Sequence, residues 1–339
     1  MGEPINENAL HGSHMAFTEL LETNIAVIQQ RIKSEKLHIK YFTVGETAKT
    51  EVAVVYMSDR VKQNVLVRVE HRIANLKVDY MFNKKVVIDT LTDKGGGAHF
   101  FTTRVTERYD SFASELMQGK VGVIVDNNPF GVTMPTTFWE GFFGSDDYFS
   151  DDFRGYRLWR VLGFMLASFL PGLFIAFACH HYDYALKIMP KTFEHKSALP
   201  YIIQVAVSLI IYHNLSDIVQ RINRYLIFFI ALLAANTIGP IATEAKLIDP
   251  IVVFVMALST VASLQNKARF AQLQWTLCWT TIFGGYLFGF KGVAIPAAIA
   301  FIWALCLRSF GEAYLKPGEL LDNIFLRGDL RKLINKRKP

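Results

Sequence analysis

An uncharged stretch from Val161 to Cys179 is the feature that most constrains what this chain can fold into. At 1.5 Å per residue, a helix of this length crosses roughly the 30 Å hydrocarbon core of a bilayer. Arg154, Arg157 and Arg160 stand directly before it. Positive charge near the end of a span favours the cytoplasmic face, so we expect the residues before this helix to be cytoplasmic.

The composition indicates a chain of two parts. Hydrophobic residues make up 51% of the 339 residues, which is high for a soluble enzyme, yet 19% of the residues are charged. We therefore expect an α/β cytoplasmic domain followed by an α-helical polytopic membrane domain with five or six transmembrane helices. The expected limits are a flexible N-terminus (1–16), the α/β domain (17–136), an aromatic and acidic juxtamembrane linker (137–160), the transmembrane domain (161–307) and a basic cytoplasmic tail (308–339).

The first half of the chain alternates between two kinds of pattern. Apolar residues recur at helical spacing from Phe17 to Ile32 and again from Val65 to Leu76, and a further helix is expected near 107–118. Short apolar runs lie between and after these helices: LHIKYFTV and EVAVVYM, which are typical of strands, then VVIDTL, and the strand-like GKVGVIVD. This alternation predicts a small α/β domain.

The linker carries an aromatic run from Phe138 to Phe153. Aromatic side chains of this kind are favoured at a membrane interface, where an apolar ring can end in water. Packing against the soluble domain accounts for the same residues equally well. Both interpretations stay open at the level of sequence.

Five more uncharged stretches follow the first span, at 197–216, 225–243, 251–266, 270–290 and 292–307. The first of them is interrupted by Tyr212, His213 and Asn214, so it is either a span or a re-entrant or interfacial helix. Counting it as a span gives six crossings with both termini on one side. The positive charges in the loops agree with this orientation in part.

Two of these stretches carry polar stripes at spacings of three and four residues. Polar groups at membrane depth are costly unless they face protein or water, so the stripes predict either a pore lining or helix-to-helix packing. The candidate pore-lining residues are Asn236, Thr237, Gly239, Thr243, Glu244, Ser259, Ser263 and Asn266. The candidate coupling junction between the two parts consists of Arg154, Arg157, Arg160 and Pro171.

Other classes of site find little support in the sequence. No nucleophile with its base, and no catalytic pair of carboxylates, stands out in the spans, so we expect no enzyme and no cofactor. Cys179, Cys278 and Cys306 lie in or beside apolar stretches without metal-ligand spacing, which predicts no metal site. The basic residues gather at span ends and in the tail, which argues against nucleic acid as a partner. The first 30 residues lack a signal pattern, so we expect the soluble domain not to be exported.

Five segments carry a more specific signal through their order and spacing: EPINENALHGSHMAFTELLETNIAVIQQRIK, LHIKYFTVGETAKTEVAVVYM, GKVGVIVDNNPFGVTMPTTFWEGFFGSDDYF, EAKLIDPIVVFVMALSTVASL and LRSFGEAYLKP. In these segments the chain resembles the A-subunit family of GerA-type spore germination receptors, which also includes the stage V sporulation protein AF. The similarity extends over nearly the whole chain.

The resemblance implies a multi-pass protein of the spore inner membrane, a bacterial cell membrane, with its N-terminal domain in the cytoplasm and its helices in membrane lipid. It implies transporter-like B subunits, which sense the nutrient, and lipoprotein C subunits as partners. It also implies a homo-oligomer around an ion-conducting path that opens when nutrient binds. A structural subunit that recruits germination proteins without conducting ions is the alternative.

Two departures from the family pattern bear on this expectation. The resemblance implies a longer cytoplasmic part with two subdomains, and this chain is expected to begin at the second. The segment 198–223 also lacks an acidic residue expected in the middle of its helix. A nutrient receptor subunit and a divergent or truncated paralogue therefore both stay open.

Overall fold

The computed structural model divides the chain into two compact units. Unit 1 comprises Met1–Gly155 and Trp303–Pro339, and unit 2 comprises Tyr156–Ile302. The chain therefore passes from unit 1 into unit 2 once and returns once. The structure describes residues 15–76, 84–92, 99–143, 154–181, 197–221, 243–264 and 270–315.

Unit 1 combines a sheet with helices. Its described helices are α1 (Leu21–Arg31), α2 (Gln63–Ala74), α3 (Lys84–Leu91), α4 (Tyr109–Met117) and α5 (Glu140–Phe143). Its described strands are β1 (Leu37–Val44), β2 (Thr50–Met57), β3 (Arg104–Thr106), β4 (Val121–Val125), β5 (Gly131–Met134), β6 (Arg308–Ser309) and β7 (Glu312–Ala313). The α/β class expected for the soluble part is confirmed.

The main sheet has the strand order β1-β2-β4-β5-β3, and each neighbouring pair is antiparallel. Successive side chains of a strand point to opposite faces of the sheet. In β2, Val52 and Val54 therefore face one helical layer while Ala53 and Val55 face the other. Because both faces are covered, β2 and β4 are apolar at nearly every position.

Two separate cores lie on the two faces of this sheet. On one face α1 and α4 pack through residues such as Ile28, Phe112 and Leu116, all fully buried. On the other face α2 and α3 pack through residues such as Val69 and Leu91. The helical spacing read from the sequence for α1 and α2 corresponds to these buried faces.

Two glycines of the sheet make room for Phe112. A Cβ atom at Gly122 would lie 2.3 Å from Cζ of Phe112, and one at Gly131 would lie 2.5 Å from its Cδ2. Real carbon atoms do not approach so closely, so any larger residue at either position would displace the ring. The α4 layer therefore depends on two residues that contribute no side chain.

The run VVIDTL, which the sequence left unassigned, lies within α3. Val87 and Leu91 are four residues apart in this run, and both are fully buried. That spacing places them on one face of a helix, so they pack into the core together.

The remaining helices are α6 (Arg154–His180), α7 (Tyr201–Arg221), α8 (Pro250–Leu264), α9 (Ala271–Phe288) and α10 (Phe290–Cys306). Within the described residues, only the segment Trp159–His180 of α6 is long and apolar enough to cross a membrane. Shorter apolar segments are Tyr201–Asn214, Pro250–Ser263 and Phe290–Cys306. By this criterion a domain with several crossings stays a prediction.

Helix α7 continues through Tyr212, His213 and Asn214 without a break. The amide Nδ2 of Asn214 donates to the carbonyl oxygen of Ile210 in the preceding turn, at 2.8 Å. The ring of His213 stacks on Trp275 of α9 at a centroid distance of 3.8 Å. The polar residues that seemed to interrupt this stretch are therefore accommodated within a helix. The predicted span 225–243 lies outside the described residues, apart from Thr243.

Candidate functional site

The structure describes four of the eight candidate pore-lining residues: Thr243, Glu244, Ser259 and Ser263. Ser259 is buried, and its hydroxyl donates to the carbonyl oxygen of Ala167 in α6 at 3.2 Å. Ser263 donates to the carbonyl oxygen of Thr260 in its own helix at 2.7 Å. Thr243 and Glu244 belong to a single helical turn before α8. The other four, Asn236, Thr237, Gly239 and Asn266, lie outside the described residues.

Small side chains bring α6 and α9 close together. The hydroxyl of Thr281, which is fully buried, donates to the carbonyl oxygen of Ser168 at 3.2 Å. A Cβ atom at Gly172 would lie only 2.6 Å from Cβ of Thr281. Close backbone approach at small residues, with hydroxyl bonds across the contact, is typical of helix pairs in membranes.

A buried polar pair ties α7 to the start of α8. Nε2 of Gln204 donates to Oδ2 of Asp249 at 3.2 Å, and the backbone N–H of Asp249 donates to Oε1 of Gln204 at 2.8 Å. Both residues are buried. Sequence reasoning missed this pair, although an Asp directly before Pro250 is a recognisable signal for the start of a helix.

The candidate coupling junction is described in part. Arg154 is the first residue of α6, Arg157 and Arg160 follow in the same helix, and Pro171 lies in its interior. Residues 144–153, which precede the helix, lie outside the described residues. The three arginines thus form part of one continuous helix with the uncharged stretch.

The described half of the aromatic linker packs within unit 1. The ring of Phe138 makes edge contacts with Phe142 at 5.3 Å and with Tyr314 at 6.1 Å. Phe142, in α5, is only 2% exposed. Packing against the soluble domain is therefore the interpretation that holds for these residues.

Buried charges fix α5 to the sheet. Nζ of Lys120 lies 2.7 Å from Oε2 of Glu140 in α5 and 3.6 Å from Oε2 of Glu115. On the other side of Glu115, Nη1 of Arg104 lies 2.7 Å from Oε1, and Thr133 donates its hydroxyl to Oε2. Arg104, Glu115 and Lys120 are nearly fully buried. Buried charges are tolerated only when they are paired and hydrogen-bonded, so this cluster specifies one position for α5.

The chain returns from α10 into the core of unit 1 through a short segment, Leu307–Leu315, called here the returning hairpin. Its two strands, β6 and β7, pair antiparallel. Phe310 and Gly311 form the turn with φ values of 49° and 89°. Phe310 is 1% exposed and belongs to the core that α2 and α3 share with the sheet. The segment predicted as a basic tail (308–339) thus contains a core residue, Phe310, near its start.

Hydrogen bonds hold the returning hairpin on both sides. The hydroxyl of Ser309 donates to the carbonyl oxygen of Thr102 at 2.9 Å and accepts from the backbone N–H of Thr136 at 3.2 Å. The N–H of Phe138 donates to the carbonyl oxygen of Tyr314 at 3.0 Å. The hairpin therefore touches the same aromatic linker that leads toward α6.

Helix α2 holds the hairpin from a third side. The guanidinium of Arg72 lies over the ring of Phe310 at 4.8 Å. Nζ of Lys62 pairs with Oε2 of Glu312 at 2.6 Å, near the surface. A guanidinium over an aromatic face is attracted by the ring electrons, and the attraction grows when water is excluded.

Both chain segments that join the units are therefore anchored in unit 1. The outgoing segment is held by Phe142 and Glu140, and the incoming one by Phe310 and Ser309. The sequence predicted a coupling junction on the outgoing side, at Arg154, Arg157, Arg160 and Pro171, and it did not predict the anchors of the incoming segment. The signal for the other was an apolar Phe310 beside Gly311, a residue that marks turns, in an otherwise polar tail.

The sequence of the chain matches a known protein family over almost its full length. The family model described as Bacillus/Clostridium GerA spore germination protein matches residues 1–338. The chain belongs to the GerA family. The resemblance stated from the sequence is confirmed, and the family is defined by a role in spore germination rather than by an enzymatic reaction.

Curated GerA-related proteins of Bacillus subtilis match over most of the chain. It is 28% identical to the uncharacterized membrane protein YfkQ, over 96% of this chain and 65% of that protein. It is 26% identical to spore germination protein KA, over 93% of this chain and 59% of that protein. It is also 26% identical to the stage V sporulation protein AF, over 93% of this chain and 64% of that protein. The chain thus spans about three fifths of the length of these relatives.

One solved structure is similar to part of this chain. It is the crystal structure of the N-terminal domain of the A subunit of the Bacillus megaterium spore germinant receptor GerK3, with 29% sequence identity and a TM-score of 0.30. The match covers 37% of this chain and 98% of that one.

Proposed function

We propose that this chain is a membrane subunit of a spore germination receptor complex, and that copies of it assemble around a nutrient-gated path for monovalent cations. The observation that carries the proposal is the GerA family match over residues 1–338, which includes both units. The ions released through this path would trigger germination. Transporter-like B subunits and lipoprotein C subunits are the proposed partners, in the inner membrane of the spore.

The surface of unit 2 supports a location in lipid. Large apolar side chains such as Phe254, Leu287 and Ile299 are between 60% and 65% exposed. A soluble unit rarely leaves so many large apolar groups in water, whereas lipid tails solvate them without cost.

The course of the chain supports an even number of crossings. Both ends of unit 2 are joined to unit 1, and each joining segment is anchored there by buried residues. If unit 1 lies on one side of the membrane, a chain that leaves it and comes back crosses an even number of times. We propose six crossings, by the helices α6 to α10 and the predicted span 225–243. The arginines before α6 support a cytoplasmic position for unit 1, because positive charge near the end of a span favours that side.

The two anchored segments suggest how a signal could reach the membrane part. The returning hairpin follows α10 directly in the chain, and ten residues separate α5 from α6. A displacement of the hairpin would therefore act on α10 at once, and a displacement of α5 would reach α6 through that ten-residue segment. Gating would then use a pair of connections rather than a single tether. The junction Arg154, Arg157, Arg160 and Pro171 remains one half of this proposal.

Ion flux through purified protein tests the proposal. Full-length chain is reconstituted in liposomes alone and with its B and C partners, and potassium and sodium efflux is measured before and after nutrient is added. We expect efflux that depends on nutrient. The substitutions Asn236→Leu and Ser263→Leu should change it if those residues line the path. Absence of flux under each of these conditions would reject a conducting role.

An assembly subunit is the second candidate, and a specific observation favours it. The hydroxyls of Ser259 and Thr281 bond to carbonyl oxygens of α6 within the same chain, as helix packing requires. Under this alternative the membrane part only anchors a recruiting domain. Replacing unit 2 by an unrelated six-span anchor then preserves germination, whereas a channel subunit loses it.

A further inference from the structure

A wide cleft lies between α2 and α3 in unit 1, on the outer side of the helical layer. Its volume is about 1060 Å³, the upper end of the range of roughly 300–1,000 Å³ typical of small-molecule sites. Three of the described lining residues are apolar: Val67, Leu76 and Val86. The other described lining residues are polar. The GerA family assignment does not account for this cleft.

One wall of the cleft is basic. Arg68, His71, Arg72 and Asn75 follow one another at spacings of three, one and three residues along α2, so they share one face of the helix, and all four line the cleft. The buried residues of α2, among them Val69, lie on its other face. The basic stripe therefore lines the cleft, and Arg72 also covers the core residue Phe310.

The opposite wall supplies hydroxyl groups. Thr90 and Thr92 line the cleft from the end of α3, together with one carboxylate, Asp89. Among the described residues that line the cleft, the groups charged at neutral pH are the two arginines and the Asp89 carboxylate. Arg68 makes no ion pair with any residue in the described ranges.

The basic side chains are held at fixed positions by their neighbours. Nη1 of Arg72 donates to the carbonyl oxygen of Leu91 at 2.8 Å, which ties α2 to the end of α3 across the cleft. A Cβ atom placed on Gly311 would lie 3.1 Å from Cζ of Arg68, so the guanidinium of Arg68 rests on the turn of the returning hairpin. Arg72 covers Phe310 in the same turn. The two arginines therefore contact the cleft and the hairpin at once.

We propose that this cleft binds a small oxyanion, a phosphate or carboxylate group on a soluble ligand, and that the bound anion stabilises the docked returning hairpin. A guanidinium presents paired N–H donors that match two oxygens of such a group, and threonine hydroxyls add donors from the other wall. The apolar residues of the cleft leave room for the rest of the ligand. The proposal stands independently of whether unit 2 conducts ions.

Calorimetry on the full-length chain in an uncharged detergent tests the site. Sodium phosphate and sodium succinate are titrated separately, each against sodium chloride at matched ionic strength. We expect at least one of the two anions to bind, with affinity reduced tenfold or more by Arg68→Gln and reduced to a smaller extent by His71→Gln. Both side chains are exposed, so these variants keep the fold. Lys33→Gln removes an exposed positive charge elsewhere in unit 1 and should bind as the wild type does.

Amide hydrogen exchange tests the link to the hairpin. At a saturating concentration of the anion that binds, exchange of the Tyr314 N–H, which donates to the carbonyl oxygen of Leu307 at 3.0 Å, should slow by at least threefold. Binding of neither anion, or equal binding by wild type and Arg68→Gln, would overturn the site. Binding without any change in exchange at Tyr314 would overturn its coupling to the hairpin.

Discussion

Replacing Phe310 by alanine should release the returning hairpin from unit 1. Phe310 is 1% exposed and fills a position between α2 and the sheet, so truncation leaves a cavity that the rigid surroundings cannot close. Substitutions of this kind cost about 3–5 kcal/mol. The other buried residues of the hairpin, Ser309 and Tyr314 among them, belong to the same short segment, so we expect the loss to appear as local release rather than as unfolding of the whole unit.

Hydrogen exchange on the full-length protein measures this release. The N–H of Tyr314 and the N–H of Phe138 are both bonded in the docked state, at 3.0 Å each. At about 1.4 kcal/mol per factor of ten, the expected cost accelerates their exchange by about two to three and a half orders of magnitude. Tyr41→Ala is the matched control, because Tyr41 is an aromatic residue of unit 1 that is 57% exposed.

Which amides exchange faster in Phe310→Ala decides whether this residue holds the hairpin or the whole unit. Acceleration at Tyr314 and Phe138, with unchanged exchange in β2 and β4, means that Phe310 holds the hairpin. Unchanged exchange at both amides, or equal acceleration throughout the sheet, would refute the reasoning. The control variant should change none of these rates by more than about twofold, as substitutions at exposed sites usually have small effects.

Three further predictions concern the other anchors and the packing of unit 2. Ser309→Ala removes two buried hydrogen bonds, so it should lower the free energy of opening of the hairpin, measured by hydrogen exchange, by about 1–3 kcal/mol. Ser58→Ala, at an exposed position, should leave that free energy almost unchanged. Equal values for the two variants would contradict an anchoring role for Ser309. Arg104→Met removes a positive charge that pairs with the buried Glu115 carboxylate, so it should lower the free energy of unfolding by about 3–5 kcal/mol. A double-mutant cycle with Glu115→Gln that shows no coupling energy would refute the claim that these two charges stabilise each other. Gly172→Ala drives a methyl group into Thr281 and should lower the thermal stability of the detergent-solubilised chain, whereas Ala298→Val at an exposed helical position should not; equal midpoints would contradict close packing of α6 on α9.

Periodicity predicted the elements that bury one regular face. Ile25 and Ile28 in α1, and Val65, Val69 and Ile73 in α2, are buried as their spacing requires. A short apolar run is compatible with a strand or a helix, and so VVIDTL could not be assigned without its neighbours. Its helical state follows from the position of the α2 layer, against which Val87 and Leu91 pack.

The returning hairpin could not be predicted because its anchors are distant in sequence. Ser309 bonds to residues 207 and 173 positions earlier in the chain. Each partner looks like an ordinary loop residue by itself. Only the closure of the chain through unit 2 brings them together, and no local pattern encodes that closure.

The polar stripes show a second limit of prediction from sequence. Spacing along a helix places Ser259 and Ser263 on one side of α8, yet it does not say what faces that side. In the structure the Ser259 hydroxyl donates to a backbone carbonyl oxygen of α6 in its own chain. The four candidate residues outside the described ranges stay predictions.

Potassium efflux from liposomes that contain the chain and the proposed B and C subunits tests the central claim most directly, when wild type, Phe310→Ala and Tyr41→Ala are compared. A conducting subunit gated through its returning hairpin should give nutrient-dependent efflux in the wild type and in Tyr41→Ala, and efflux that no longer depends on nutrient in Phe310→Ala. No efflux from wild type, or the same nutrient dependence in all three proteins, would contradict it.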